Sequence, residues 1–143
     1  MILLDTDHVS HMQENDDKSG MTLTSRLLAT PPWEELCVSI ITVEEQTRGR
    51  LGHLSRQRTF AGQVRCYLEL QNLLSFYRGF DIVAFDDAAA AMAESLRVRY
   101  RRLGAMDLKI AAIALVNDAT LLTANKRDFE QVEGLRFENW LLP

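Results

Sequence analysis

Apolar residues in this chain fall into short runs, separated by longer stretches in which they recur every three or four positions. The runs Ile2-Leu3-Leu4, Cys37-Val38-Ser39-Ile40, Ile82-Val83-Ala84-Phe85 and Thr120-Leu121-Leu122-Thr123 predict strands, and Leu135-Arg136-Phe137 a weaker fifth. Residues 13–20, QENDDKSG, are polar and end in glycine, which predicts a loop. Thr24 or Ser25 is then expected to cap a short helix through Leu27 and Leu28, which Pro31-Pro32 breaks. A helix is expected from Thr42, where Thr42 and Glu45 match a capping box. From Leu54 to Tyr77, Phe60, Val64, Tyr67, Leu68, Leu70 and Leu74 keep mostly helical spacing. Asp86 or Asp87 caps an alanine-rich helix to Arg102. Met106 to Val116 is apolar almost all round, the pattern of a helix buried on every side.

Strands alternating with helices predict an α/β fold: a mostly parallel sheet of about five strands with helices on both faces, in one domain over residues 1–143. Functional groups in such sheets gather beyond the carboxyl ends of the strands. The acids of this chain stand at those places. Asp5 and Asp7 follow the first strand, Glu44 and Glu45 the second, and Asp128 the fourth, while Asp107 opens the buried helix. A cluster of carboxylate oxygens suits Mg²⁺ or Mn²⁺. Two such charges about 4 Å apart repel by about 4 kcal/mol at an effective dielectric near 20. Gathering several therefore calls for a cation or for raised pKa values. Each acid also has a structural reading: Asp5 as a turn or cap residue, Glu45 as half of the capping box, Asp107 as an acid at a helix dipole, Asp128 as the cap of a last short helix.

Composition adds exclusions. With 47% hydrophobic and 25% charged residues the chain reads as an ordinary globular protein. No run approaches a membrane span, and the start MILLDTDHVS lacks a secretory pattern, which implies the cytoplasm. Cys37 and Cys66 are isolated and expected to be inert thiols. His8 and His11 lack the further ligands of a zinc site and are read as surface or packing residues. There is no phosphate loop and no G-x-S-x-G elbow. The net charge of −4 is not that of a typical nucleic-acid binder, but arginines group at Arg48, Arg50, Arg56 and Arg58 and again at Arg97, Arg99, Arg101 and Arg102. The guanidinium fork suits phosphate. A solvated helix face is the competing explanation for each.

Four segments, in order, resemble the PIN-domain family, and within it the VapC-type toxins of bacterial VapBC toxin–antitoxin pairs. They are LLDTDHVS, VSIITVEEQTRG, LGAMDLKIAAIAL and LLTANKRDFEQVEGLRFENW, with residues 54–82 carrying no diagnostic motif. The resemblance implies a three-layer α/β/α domain and an Mg²⁺- or Mn²⁺-dependent endoribonuclease. Carried over by motif, Asp5, Glu45, Asp107 and Asp128 are the catalytic, metal-binding acids. Thr6, Asp7, Thr123 and Asn125 are supporting residues, and Asn125 stands where some members carry an acid. Arg48, Arg50, Arg101 and Arg102 are the candidates for RNA phosphates. RNA, tRNA or another structured RNA included, a cognate antitoxin and a second copy of the chain are the implied partners. The helices over 21–30 and 54–78 are their candidate contact faces.

Two rival classes remain at this point. Asp5-Thr6-Asp7 mimics the D-x-D of aspartate-dependent phosphatases and phosphotransferases, but Val9 and Ser10 follow where those enzymes need Gly-Thr. A non-catalytic RNA-binding module on the same fold is expected to lose the acids that this chain keeps.

Overall fold

The computed structural model describes residues 1–14 and 18–142. Five strands, β1 (Ile2–Leu4), β2 (Leu36–Ser39), β3 (Asp81–Val83), β4 (Thr120–Leu122) and β5 (Arg136–Glu138), form one sheet in the order β3-β2-β1-β4-β5. Every neighbouring pair is parallel, with Leu4 opposite both Val38 and Leu122. All five strands therefore end on one edge. The chain winds outward from β1 through β2 to β3, then returns to place β4 on the other side of β1. That reversal is where such sheets open a crevice.

Seven helices among the described residues cover the two faces: α1 (Thr6–Glu14), α2 (Lys18–Leu28), α3 (Ile40–Ser55), α4 (Phe60–Tyr77), α5 (Asp87–Arg99), α6 (Ala105–Val116) and α7 (Lys126–Phe129). Side chains alternate across a strand, so the short strands serve two cores. Leu3, Cys37 and Leu121 face one core with residues of α5, α6 and α7. Ile2, Leu4, Val38 and Leu122 face the other, with Val9, Leu23, Leu73 and Tyr77 from α1, α2 and α4. The expected helix from Met106 is α6, and Leu108, Ile110, Ala111, Ala112, Ile113 and Ala114 are all buried in it. The expected α/β/α architecture is the one observed.

Several local expectations are corrected. The loop over 13–20 is not there as a whole: Gln13 and Glu14 belong to α1 and Lys18 to Gly20 to α2, while residues 15–17 lie outside the described residues. Thr24 and Ser25 lie inside α2 and cap nothing at its start. The fully buried Leu23 anchors that helix, and tertiary packing overrides weak local propensity. The helix after β2 starts at Ile40, because Ser39 is its cap and accepts the Thr42 amide at 3.0 Å. The supposed capping box of Thr42 and Glu45 is therefore not formed, and Glu45 has no capping duty. The stretch from Leu54 divides: α3 runs on to Ser55, and Thr59 caps α4 by accepting from Gly62. Asp86, and not Asp87, caps α5, which ends at Arg99. Asp128 lies within α7 and is not its cap.

Candidate active site

Asp5 leaves β1 at the crevice and is only 7% exposed. Its amide donates to the Leu122 carbonyl of β4 at 2.9 Å, which pins the strand end. Its carboxylate accepts the Thr6 amide at 2.8 Å on Oδ1 and the Thr123 hydroxyl at 2.7 Å on Oδ2. Those bonds favour the charge, yet burial, then Asp7 and then Glu45 outweigh them and push the Asp5 pKa up to about 7.

Asp7, two residues on, behaves oppositely. Burial alone would raise it, but the His8 ring and the backbone amides of Ala124 and His8 hold its carboxyl below the usual range. His8 is fully buried. Its Nε2 accepts the Trp140 amide at 3.1 Å, so its proton sits on Nδ1, 2.6 Å from Asp7 Oδ1. Asp7 Oδ2 accepts the Ala124 amide at 2.7 Å. Asp7 thus joins β1 to the segment after β4. His8, expected to be an ordinary surface or packing residue, is the packing residue that orients Asp7. Sequence gave no sign of it, since its partner Trp140 lies 132 residues away.

Glu45 and Asp107 reach the same edge from two helices. Glu45 sits one turn into α3, where Ser39 starts the helix at the end of β2. Its pKa is raised by burial, then by Asp107 and Glu44, against a lowering by the Thr6 hydroxyl. Thr6 Oγ1 is buried and makes no hydrogen bond of good geometry, so this contact is a weak one. Asp107 stands in the first turn of α6. Burial, then Asp128, raises its pKa. A carboxylate placed only to complement the helix dipole would be stabilised in its charged form. At Asp107 burial and Asp128 act against the charge that the helix start favours. Among the described residues no group donates a hydrogen bond to Asp107. Asp128 Oδ2 accepts from Asn125 Nδ2 at 3.0 Å, and the Asn125 amide donates to Thr123 Oγ1 at 3.0 Å.

The four acids therefore form a chain of electrostatic neighbours, Asp5 to Glu45 to Asp107 to Asp128, carried by β1, α3, α6 and α7. They are not closed into a cage: among the described residues no three His, Cys, Asp or Glu side chains are grouped tightly enough to hold a metal as they stand. The donor set is all oxygen, which suits a hard cation. Gln46, next to Glu45 in α3, ties three helices together. Its amide donates to Ser10 and Gln13 of α1 and accepts from the Tyr77 hydroxyl of α4 at 2.6 Å. Nothing in the sequence singled out this network.

The arginines separate by role. Arg48 is exposed and pairs with Glu44 one turn back. Arg50 lines a different cavity, with Gln13, Glu69, Asn72, Leu73 and Phe76. Arg97 donates to the Leu103 carbonyl and Arg99 pairs with Glu133. Arg101 and Arg102 are exposed in the turn before α6. The cysteines are free and buried, and burial pushes the Cys37 thiol up.

With this geometry in view, known proteins show the same frame. Ribonuclease VapC1 of Haemophilus influenzae strain R2866 is 28% identical over 138 residues, 96% of each chain. The tRNA(fMet)-specific endonuclease VapC of Shigella flexneri is 28% identical over 74% of this chain and 76% of its own. Among solved structures, VapBC2 from Rickettsia felis bound to a promoter DNA fragment superposes with a TM-score of 0.76 at 23% identity, over 98% of this chain and 99% of that one. FitAcB from Neisseria gonorrhoeae gives 0.73 at 25% identity, over all of both chains. The PIN domain matches residues 2–135, and the chain belongs to the PIN-domain family.

Proposed function

We propose that this protein is an endoribonuclease that cleaves RNA phosphodiester bonds with Mg²⁺ or Mn²⁺, and that it is the toxin of a type II toxin–antitoxin pair. The observation that carries the reading is the line of four acids drawn from four separate elements to one sheet edge, three of them with pKa values raised by burial and by one another. A fold does not assemble repelling carboxylates without something to offset them. The names of the relatives, ribonuclease and endonuclease, agree with this.

Asp5, Asp107 and Asp128, with Glu45, would hold the cation. A bound divalent cation supplies Lewis-acid activation of water and of the phosphoryl oxygens. The chain's own residues do the rest. Thr6 and Thr123 fix both oxygens of Asp5, and Asp7 fixes the segment that carries Thr123 and Asn125. Glu45, its proton affinity raised, is suited to orient the attacking water and take its proton. Exposed arginines neutralise phosphates outside the centre and set affinity without reading sequence.

A cognate antitoxin and a second copy of the chain are the proposed protein partners, and the cytoplasm the proposed location. Apolar side chains left open on α2 and α4 support a need for partners: Phe60 is 90% exposed, and Met21, Leu28, Val64 and Leu68 are exposed as well. Among the described residues no helix is long and apolar enough to cross a membrane.

The test is incubation with total RNA and with tRNA, in Mn²⁺ or in EDTA, using the wild type and Asp107→Asn. The reading requires cleavage by the wild type in Mn²⁺ alone, with Asp107→Asn losing at least about three orders of magnitude. Cleavage in EDTA, or by a fully active Asp107→Asn, rejects the metal and the residue respectively. A phosphoryl-enzyme trapped at Asp5 would instead favour the phosphotransferase class.

A further inference from the structure

Helices α3 and α4 pack against each other, and the side of α3 turned to α4 carries a polar stripe. Gln46, Arg50, His53 and Gln57 recur on it at helical spacing. A packed helix face is ordinarily apolar, so polar groups placed on one need partners. Three of the four have them. Gln46 accepts from the Tyr77 hydroxyl at 2.6 Å. His53 Nδ1 stands 3.3 Å from Glu69 Oε2, and Gln57 Nε2 donates to the His53 carbonyl at 3.4 Å. Arg50 is the exception: its Nε is buried and reaches no acceptor among the described residues.

Arg50 opens on a cavity of about 330 Å³ between α1, α3 and α4, lined with it by Gln13, Glu69, Asn72, Leu73 and Phe76. Glu69, on the α4 wall, is the natural counter-ion, yet the two do not pair. Both Glu69 oxygens are engaged elsewhere, Oε1 by Arg65 at 3.2 Å and Oε2 by His53. The cavity therefore holds a cation without a partner and an acid whose charge is already met. Its other polar groups can donate. The Gln13 amide nitrogen commits one hydrogen to Gln46 Oε1 at 2.9 Å and keeps a second, and the Asn72 amide is exposed. A guanidinium presents parallel N–H groups that match the paired oxygens of a carboxylate or a phosphate. The volume exceeds that of a bare ion and falls at the low end of small-ligand pockets, about 300–1,000 Å³. Arg50 lies five residues beyond Glu45, about 140° round the helix, so this cavity is separate from the acidic edge.

We propose that the cavity is a binding site for a small molecule that carries an oxyanion, a carboxylate or a phosphate, held by Arg50 with the Gln13 and Asn72 amides beside it. Gln13 and Gln46 exchange hydrogen bonds, so an occupant also braces α1 against α3 next to Glu45. The site does not depend on the ribonuclease reading, and it gives Arg50 a role other than contact with RNA phosphates.

Thermal unfolding in EDTA at constant ionic strength tests this, with inorganic phosphate or acetate replacing chloride, on the wild type and Arg50→Met. The wild-type Tm should rise and level off, by about 4 °C at about ten times the Kd. Arg50→Met should show only the gradual, unsaturating rise that excluded salts give any protein. A saturable response to phosphate alone assigns a phosphate group, to acetate alone a carboxylate, and to both the chemistry they share; each supports the site. Without either anion, Arg50→Met should be at least as stable as the wild type, because it removes a buried donor that lacks an acceptor and keeps an apolar stem. A wild type with no saturable rise in either probe overturns the proposal, and so does an equal rise in Arg50→Met. A Tm lowered by several degrees in anion-free Arg50→Met also overturns it, since the guanidinium would then be serving the fold.

Discussion

The two halves of the acidic edge are built differently. On the β1–β4 side, Asp5 and Asp7 are held by the Thr123 hydroxyl, three backbone amides and the His8 ring. On the α3–α6 side, Glu45 has the weak contact with Thr6 and the nearby charge of Arg48, and Asp107 accepts no hydrogen bond among the described residues. One half is preorganised by the protein. The other presents carboxylates near the starts of helices, Glu45 favoured only by the Thr6 hydroxyl and the nearby Arg48 charge and Asp107 raised by burial and Asp128.

Three experiments sharpen or break this contrast. The largest effect is expected from Asp7→Asn, which takes away the charged acceptor of the His8 ring N–H. Activity should fall about 10- to 100-fold, the loss typical of residues that support metal ligands, with the cation still bound. An unchanged turnover would mean that the held half is not preorganised for catalysis. Next, Thr123→Val strips the hydroxyl from Asp5 and should cost about 1–2 kcal/mol in urea unfolding above pH 7, where Asp5 is ionised. An equal cost at pH 4 would show a packing effect instead. A third effect is on pH dependence. The folded pKa of Asp5, about 7, exceeds its ordinary value of 3.8, so the folded state binds the extra proton between those values. In the metal-free protein, stability should therefore fall as pH rises through that window. Asp7, held low, contributes in the opposite sense, and its share is lost only as pH falls below the ordinary carboxylate range. Asp5→Asn should flatten the decline between about pH 4 and pH 7 in denaturation profiles. A decline that persists in Asp5→Asn assigns it to other groups.

The same contrast marks what sequence could reveal. Helix α6 was legible because apolar residues all round leave only one environment possible. The strands were legible as runs, and the acids as residues that follow them. The start of α3 was misread, since Thr42-x-x-Glu45 imitates a capping box that Ser39 displaces from three residues upstream. The loop over 13–20 was misread because polarity was weighed above the packing of Leu23. The roles of His8 and Gln46 depend on partners 132 and at least 31 residues away, and no local pattern carries such information.

The account stands on a cation shared by acids from both halves, and thermal unfolding of the RNA-free protein tests this most directly. At pH 8, Mn²⁺ should raise the wild-type melting temperature, because a ligand that binds only the folded state stabilises it. Asp5→Asn and Asp107→Asn should each be at least as stable as the wild type without Mn²⁺ and gain little from it. An equal rise in all three proteins, or none in the wild type, would contradict a shared site.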